Sequence, residues 1–402
     1  MAEALIGLGS NWGDRAAALA EAVAALDRVP KTRVLRVSSW LETRPAGGPP
    51  GQPAYLNGAA VVETSLGPRV LLSRLQSVEK QLGRTTSQRW APRVIDLDLL
   101  LFGSRSIQSP GLTLPHPRMA WRRFVLEPAA EIAPQWVHPL IGWTLSQLRA
   151  HLEHSLPLVV LAGPRPAAAA ELARRLHDQR PSDTRLVLPP EDAAFATPSV
   201  HPRLSARQLE SALEQWSKVT AQRSYSPVAI REGSGDDVRE VFDLCPAWIG
   251  WLRACARVSL GTQEYAEFTD RWRRARATTP RPRLIVAFDP PLDPTTTPDV
   301  TAQANTAFGT GTAAETCAGS GEPTKEEIVG VGSGDEEAES FPNGDVDDTA
   351  TSDDATVLVT DWPAAFWDEL RRPDIGPTMV LKDISFDDAL IELSAALEAM
   401  QR

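Results

Sequence analysis

Residues 89–102 read RWAPRVIDLDLLLF, and the motif PHPRM follows at residues 115–119. The leucine-rich end of this run predicts a β-strand, in which side chains two residues apart lie on the same face. We therefore expect Asp96 and Asp98 together on one face of the strand. The alternate leucines are expected on the opposite face: Leu97, Leu99 and Leu101. Two like charges on a partly buried face repel each other and lose hydration, and a divalent cation between them relieves both costs.

A set of arginines precedes this strand in a polar stretch: Arg84, Arg89 and Arg93. The guanidinium group matches phosphate oxygens, and a metal ion on neighbouring carboxylates neutralises the remaining phosphate charge. With no cysteine and few histidines nearby, the carboxylate pair favours a hard ion such as Mg²⁺ over zinc. Each part alone is common, as a solvated strand face, as surface charge or as a tryptophan packed in a core. Together, within fifteen residues, they predict phosphoryl-transfer chemistry.

The first part of the chain alternates strand and helix patterns. Strands are predicted over residues 4–8, 34–41, 55–64 and around Asp96, and helices over residues 17–26 and 68–82. This β-α-β-β-α-β order predicts a ferredoxin-like α+β sandwich. A stretch rich in proline and glycine, residues 43–53, separates two strands and is typical of a long loop that covers a site.

A new α/β pattern begins near residue 156. Its predicted strands and helices cover residues 158–163, 167–176, 206–221, 236–254, 284–288, 356–359, 378–381 and 386–400. Because 402 residues exceed one ordinary core, we expect two domains, residues 1–155 and 156–402. Residues 289–355 are too polar to offset the entropy of ordering, so we predict a disordered acidic insertion in the second domain.

Composition limits the classes of partner. The formal net charge is −11, but residues 299–354 hold fourteen acidic residues and one lysine, so the rest of the chain has a net charge of +2. This near-neutral remainder gives no reason to expect a nucleic-acid-binding surface. The three cysteines are an odd number without metal-ligand spacing, and no apolar run reaches the roughly 18 residues of a membrane span. We therefore expect a cytoplasmic protein that does not contact a membrane.

Several motifs, taken in order, resemble one enzyme family over about the first 155 residues. They are Gly9-Ser10-Asn11, Tyr55-Leu56-Asn57, Glu79 with Gly83-Arg84, Arg89-Trp90-Ala91-Pro92-Arg93, Ile95-Asp96-Leu97-Asp98, Pro115-His116-Pro117-Arg118-Met119 and Arg122-Arg123-Phe124. This ordered set is similar to the 6-hydroxymethyl-7,8-dihydropterin pyrophosphokinases of folate biosynthesis, abbreviated HPPK. The resemblance implies Mg²⁺-dependent transfer of the β,γ-diphosphoryl group of ATP, the co-substrate, to the hydroxymethyl oxygen of the pterin, which releases AMP.

The resemblance also implies roles for individual residues. Asp96 and Asp98 would hold two Mg²⁺ ions, and Arg84 and Arg93 would act on the transferred group beside them. The implied ATP contacts are Gln76, Glu79, Arg84, Trp90, Arg93, His116 and Arg122. The implied pterin contacts are Thr43, Tyr55, Asn57, Trp90 and Phe124. Trp12 and Ala46 depart from the family pattern, which leaves pterin affinity open but not the reaction type.

The start of the second domain, residues 158–176, is similar to the start of a P-loop nucleoside or deoxynucleoside kinase, with Gly163 as its first glycine. A P-loop ends in Gly-Lys-Ser/Thr, and this chain has three alanines there: Ala168, Ala169 and Ala170. We expect a kinase-like fold without ATP chemistry, with a scaffolding, self-association or regulatory role. An unrelated α/β domain is the alternative.

Two other functions compete with a pyrophosphokinase. One is a non-catalytic adaptor of the folate pathway whose first domain only binds a ligand. It predicts the loss of at least one catalytic residue, and none is lost. The other is a nucleoside kinase with an attached pterin domain, against which the missing P-loop lysine counts.

Overall fold

The computed structural model describes residues 1–84, 91–187, 204–222, 231–232, 239–246, 249–278, 281–291, 362–372 and 375–401. The described residues belong to one compact unit, which runs to Pro291 and resumes after the acidic segment. Most of the predicted acidic insertion and the predicted strand at 356–359 lie outside the described residues. In the part of the chain that is described, no helix is long and apolar enough to cross a membrane.

The first half of the chain is built on a five-stranded antiparallel sheet. Its elements are β1 (Ala2–Ser10), α1 (Arg15–Asp27), β2 (Thr32–Val37), β3 (Leu41–Thr43), β4 (Tyr55–Thr64), α2 (Pro68–Gln81) and β5 (Asp96–Phe102). The strands lie in the order β2-β4-β1-β5, and β3 pairs with one end of β4. The predicted β-α-β-β-α-β order is confirmed, although the single strand expected at 34–41 is divided into β2 and the short β3.

Local signals fix the two helices on this sheet. Helix α1 starts after Asp14, whose carboxylate accepts a 3.0 Å hydrogen bond from the backbone N–H of Ala17, as an N-cap residue does. Helix α2 begins with Pro68, whose missing N–H is not needed in the first turn. Both helices bury leucines against one face of the sheet: Leu19, Leu26, Leu71 and Leu75. The opposite face of the sheet packs against elements that come later in the chain.

Those elements are β6 (Ile107–Ser109), β7 (Leu112–Leu114), a 3-10 turn (Met119–Trp121), α3 (Arg123–Ile132) and α4 (Leu145–His154). Helix α3 packs across β4, and its Leu126 and Ala129 share a core with Leu5 and Val61 of the sheet. Helix α4 begins with a capping box in which Thr144 and the third helical residue bond each other's backbone. This second face of the sheet carries the candidate site.

Leu101 does not share the face of Leu97 and Leu99, and this part of the prediction is wrong. The register of β5 against β1 shifts, so that Leu5 pairs with Leu101 while the next residue of β1 pairs with Leu99. The residue between them is the extra one of a β-bulge. Leu101 therefore packs with Leu5 on the α3 side, whereas Leu97 and Leu99 pack with α1 and α2. An alternating pattern does not reveal a bulge, because one slip exchanges the two faces of a strand.

The second half is built on a five-stranded parallel sheet. Its elements are β8 (Leu158–Ala162), α5 (Pro166–Gln179), β9 (Thr184–Leu186), α6 (Ala206–Gln222), β10 (Arg231–Glu232), β11 (Arg239–Glu240), β12 (Phe242–Cys245), α7 (Ile249–Ser259), α8 (Thr262–Thr278), β13 (Leu284–Asp289), α9 (Trp362–Leu370), β14 (Thr378–Lys382) and α10 (Phe386–Met400). The parallel strands lie in the order β14-β13-β8-β12-β9. Helices cover both faces of this sheet, which explains why its strands are continuously apolar.

One predicted helix of the second half is wrong. Residues 236–254 were expected to form a single helix, but β11 and β12 occupy its first part and α7 begins only at Ile249. A short apolar run is compatible with a buried strand and with a buried helix. Here β12 is a strand because it pairs with β8 and β9. Helix α8 and strand β9 were not predicted.

A single core connects the two sheets. Leu126 of α3 and Leu148 of α4 pack in one cluster with Leu172 of α5 and Leu393 of α10. The predicted domain boundary near residue 155 falls between α4 and β8, and the division into two domains stays a prediction. The shared core brings α10, the last element described, against α3 and the 3-10 turn, which lie on the face of the first sheet that carries the candidate site.

Candidate active site

A cavity of about 410 Å³ lies over the start of β5, bordered by the loop after β3 and by the start of α3. It is lined by twelve of the thirteen residues that the sequence assigned to the site: Thr43, Tyr55, Asn57, Gln76, Glu79, Arg84, Arg93, Asp96, Asp98, His116, Arg122 and Phe124. The thirteenth, Trp90, lies outside the described residues, as does Arg89. The fold thus gathers into one cavity residues that are far apart in the chain.

Asp96 and Asp98 both face this cavity, as the alternation along β5 predicted. Asp96 Oδ1 lies 2.7 Å from Nη1 of Arg84 and 3.0 Å from Nη1 of Arg93. Burial raises the pKa of Asp96, and the negative charge of Asp98 raises it further, while Arg93 and Arg84 oppose both effects. The two arginines therefore stabilise a carboxylate whose ionised form its surroundings disfavour.

Glu79 ties helix α2 to the start of β5. Its side chain is buried, and Oε1 accepts a 2.7 Å hydrogen bond from the backbone N–H of Leu97. The same carboxylate forms an ion pair with Arg84. Burial raises the pKa of Glu79, and the hydrogen bond from Leu97 and the charge of Arg84 counter that rise. Glu79 consequently fixes the guanidinium of Arg84 next to Asp96.

Asn11 fixes the loop that carries Arg93. This fully buried side chain accepts a 2.7 Å hydrogen bond from the backbone N–H of Arg93 at Oδ1. The backbone N–H of Asn11 donates to the carbonyl of Arg93 at 3.1 Å, which closes a reciprocal pair. The sequence analysis quoted Asn11 as part of a motif but gave it no role. Its position after β1 shows that it holds Arg93 within reach of Asp96.

His116 is held neutral in the part of the cavity next to Asp98. Burial, together with the charges of Arg122 and Arg118, lowers the pKa of His116 to about 3. Nδ1 accepts a 3.2 Å hydrogen bond from the backbone N–H of Arg118, which leaves the ring proton on Nε2. Nε2 lies 3.9 Å from Oδ2 of Asp98. His116 therefore offers an uncharged N–H donor beside the carboxylates.

Arg122 adds a positive charge, on a half-buried side chain, to the lining near His116. Burial and the neighbouring Arg118 lower the pKa of Arg122 to about 10, so it stays protonated at neutral pH. Its guanidinium carbon lies 5.5 Å from the ring centroids of Trp121 and of Phe124, a distance at which aromatic rings stabilise a cation.

Another part of the lining, called the uncharged end below, is formed by the neutral side chains of Thr43, Tyr55, Asn57 and Phe124. Asn57 is buried, and its Nδ2 donates a 2.8 Å hydrogen bond to Oγ1 of Thr43. Tyr55 and Phe124 border the same end with their rings. Burial raises the pKa of Tyr55, so its hydroxyl stays protonated at neutral pH. An amide beside flat apolar faces is suited to a planar heterocycle with hydrogen-bonding edges.

Some residues that border the cavity were not predicted from the sequence. Arg118 lines it two positions after His116, and Arg44, Gly47 and Gln52 line it from the loop after β3. Ala46, which departs from the family pattern, lines the cavity from the same loop. Arg118 belongs to the PHPRM motif, so its position there was the available signal. The loop residues carried no local signal beyond their place in a stretch rich in proline and glycine.

Arginines, paired carboxylates and a neutral histidine in one cavity define the class of site, one built for metal-assisted phosphoryl transfer. A family model described as 7,8-dihydro-6-hydroxymethylpterin-pyrophosphokinase (HPPK) matches residues 5–134. The chain belongs to the HPPK family, as curated relatives also show.

Three relatives named 2-amino-4-hydroxy-6-hydroxymethyldihydropteridine pyrophosphokinase illustrate the match. The protein from Synechocystis sp. is 46% identical over 145 residues, which are 36% of this chain and 73% of that protein. The Bacillus subtilis protein is 48% identical over 132 residues, 33% of this chain and 78% of the relative. The Methylorubrum extorquens protein is 43% identical over 155 residues, 39% of this chain and 96% of the relative. The family model ends before β8, so the parallel sheet lies outside it.

Proposed function

We infer that the first half of the chain catalyses transfer of diphosphate from ATP to the hydroxymethyl group of 6-hydroxymethyl-7,8-dihydropterin, a step of folate biosynthesis. The observation that carries this inference is the contact of Arg84 and Arg93 with Asp96 in the cavity of an HPPK family member. The hydroxymethyl oxygen forms a bond to the β-phosphorus and loses its proton. The bond between the β-phosphorus and the oxygen that bridges it to the α-phosphorus breaks, and that oxygen leaves as part of AMP.

Asp96 and Asp98 suit Mg²⁺ as partial ligands. Mg²⁺ usually binds through one or two carboxylates and completes its shell with water and substrate phosphates. Among the described residues, no group of three or more His, Cys, Asp or Glu side chains forms a cluster that could hold a metal by itself. Asp96 and Asp98 would hold two ions, and ATP is proposed to supply the missing ligands. When bound, the metal would neutralise phosphate charge.

The protein groups divide the remaining work between the two substrates. Arg84 and Arg93 are placed to donate to the transferred diphosphoryl group, and the Nε2–H of neutral His116 is placed to donate to a phosphate oxygen. Among the remaining implied ATP contacts, Gln76 and Glu79 line the α2 side of the cavity and Arg122 the α3 side. These contacts favour a transition state in which negative charge spreads over the phosphate oxygens.

The pterin is proposed to bind at the uncharged end. Asn57 and Thr43 would read the hydrogen-bonding edge of the ring, and Tyr55 and Phe124 would stack on its faces. This arrangement leaves the hydroxymethyl oxygen directed towards Asp96 and Asp98. Trp90 remains a proposed contact of both substrates.

A test separates the catalytic function from that of a ligand-binding adaptor. Purified full chain is incubated with MgATP and 6-hydroxymethyl-7,8-dihydropterin, and the pterin product is analysed by mass spectrometry. We expect a pterin diphosphate from the wild type and none from Asp96→Asn. Both proteins should bind the pterin in calorimetry. Pterin binding without any diphosphate product in the wild type would favour the adaptor.

The second half is proposed to be a kinase-like fold without ATP chemistry. In support, β8 lies at the centre of a parallel sheet, and the turn after it carries Gly163, where a side chain would collide with the carbonyl oxygen of Phe288. Arg165, the cation in this turn, is paired with Asp289 at 2.7 Å rather than directed at a phosphate site. Binding of one ATP per wild-type chain in equilibrium dialysis is expected. Two ATP molecules per chain would favour the nucleoside-kinase alternative.

The cellular location follows as a proposal from the cysteine chemistry. Cys255 is buried, and burial raises its pKa, which keeps it a thiol. A cysteine kept as a thiol suits the reducing cytoplasm.

A further inference from the structure

The loop between β3 and β4 separates two cavities. One is the active-site cavity, and the other is a cavity of about 870 Å³ that also contacts the second half of the chain. Both cavities are lined by four residues of the loop: Arg44, Ala46, Gly47 and Gln52. Thr43, at the end of β3, and Phe124, in α3, also line both. The far wall of the larger cavity includes Arg180, Asp183 and Glu398. The position of the loop therefore determines the shape of the active-site cavity.

Glu398, in the last turn of α10, joins this loop to the second half of the chain. Its Oε2 accepts a 2.6 Å hydrogen bond from the backbone N–H of Gly47. Its Oε1 accepts a 2.7 Å hydrogen bond from Nη1 of Arg180. Arg180 is held in turn by the buried Asp183, with Nη2 2.6 Å from Oδ2. A carboxylate fixed at one oxygen by this ion pair presents its other oxygen at a defined place.

One end of the loop is anchored to α1, because Nη1 of Arg15 donates a 2.8 Å hydrogen bond to the carbonyl of Ala54. The middle of the loop is rich in glycine and proline. Gly47 and Gly51 have φ angles of 84° and 82°, a conformation that glycine adopts without strain. Four prolines within residues 45–53 remove backbone donors. The amide of Gln52 donates to the carbonyls of Gly47 and Pro49, so these bonds remain inside the loop. The bond from Gly47 to α10 anchors the loop to another part of the fold.

Helix α10 also reaches the phosphate side of the site. Glu392 is buried, and its Oε2 lies 2.9 Å from Nη2 of Arg118. Arg118 lines the active-site cavity, and its backbone N–H donates to His116. The same helix therefore contacts the walls of the site at two separate places.

We propose that Glu398 is a positioning residue for pterin binding, which holds the loop over the uncharged end of the active site through the backbone of Gly47. The inference rests on the proposed function, because it requires the pterin to bind beside Thr43 and Asn57. Glu398 itself touches neither substrate. The second half of the chain is, on this account, part of the pyrophosphokinase rather than an independent appendage.

The test compares four full-length proteins: the wild type, Glu398→Ala, Glu398→Gln and Asp387→Ala. The glutamine keeps an oxygen that can accept from Gly47, and Asp387 is an exposed carboxylate near the other end of α10 that serves as the control. Steady-state AMP formation gives KM for the pterin and KM for ATP separately. Calorimetry with α,β-methylene-ATP, whose α–β link cannot be cleaved, gives the pterin Kd without turnover.

We expect Glu398→Ala to raise both KM and Kd for the pterin about tenfold, which corresponds to roughly 1.4 kcal/mol. KM for ATP should stay within about twofold, Glu398→Gln should recover most of the pterin affinity, and Asp387→Ala should match the wild type. An unchanged pterin affinity in Glu398→Ala, or an equal loss of affinity for both substrates, overturns the proposal. If the wild type forms no pterin-dependent AMP, the proposed function fails, which is a separate outcome.

Discussion

Replacing Asn11 by alanine tests how the site is built, because Asn11 acts on catalysis only through Arg93. The change removes the Oδ1 acceptor of a 2.7 Å hydrogen bond and leaves the backbone N–H of Arg93 without this partner. Leaving a donor unsatisfied costs about 1–3 kcal/mol. The backbone bond from Asn11 to the carbonyl of Arg93 remains, so the loop should loosen rather than detach.

If the whole cost falls on the transition state, kcat/KM drops by roughly 5- to 150-fold. The loss should appear in kcat, because Arg93 contacts Asp96 and the uncharged end with Asn57 is formed independently. The assay is AMP formation at saturating ATP and pterin, with a thermal melt of each protein. Ser10→Ala is the matched control: within the described residues its buried hydroxyl has no hydrogen-bond partner, so its loss should leave activity unchanged and should not lower stability. Equal kcat in Asn11→Ala and Ser10→Ala would refute the reasoning.

Three further outcomes follow. Asp98→Asn removes one of the two carboxylates proposed to hold the metal and should lower kcat by about 10³-fold with the melting temperature retained; a drop below tenfold would contradict the metal role. Burial lowers the pKa of His138 to about 4, so its contribution to stability is complete above the unfolded pKa near 6.5 and is lost as the pH falls towards 4. The free energy of unfolding, measured in urea, should therefore fall by about 2 kcal/mol less for His138→Gln than for the wild type between pH 7.5 and 5. Equal decreases in the two proteins would contradict this. Gly163→Ala should destabilise the fold by about 1–3 kcal/mol, because its new methyl group meets the carbonyl oxygen of Phe288 in β13. Gly67→Ala, which meets no other atom but places alanine at the N-cap of α2, should destabilise the fold by less. Equal midpoints in chemical denaturation would contradict the close approach at Gly163.

The sequence was most informative where a side chain's role depends on its neighbours along the chain. Asp96 and Asp98 could be assigned to one face because strand alternation is local, and the fold follows that rule up to the bulge. Leu101 could not be placed, since the bulge arises from pairing with Leu5 in another strand. The predicted helix at 236–254 failed for a similar reason, because partner strands decide the state of a short apolar run.

The contacts that support the site are mostly long-range. Gly47 and Glu398 are 351 residues apart in the chain, and nothing in the local pattern of α10 marks one glutamate as an anchor. Arg118 stood in a recognised motif, but its pairing with Glu392 depends on how two sheets share one core. Motifs thus predicted the groups that face the substrates, while the residues that hold those groups became visible only in the fold.

The most direct test of the central claim is the formation of AMP from ATP by the full chain, with and without 6-hydroxymethyl-7,8-dihydropterin, and with and without Mg²⁺. Diphosphoryl transfer from ATP to the pterin predicts AMP only when ATP, pterin and Mg²⁺ are all present, in amounts equal to the pterin diphosphate formed. AMP formation that does not depend on the pterin, or none under any condition, would contradict it.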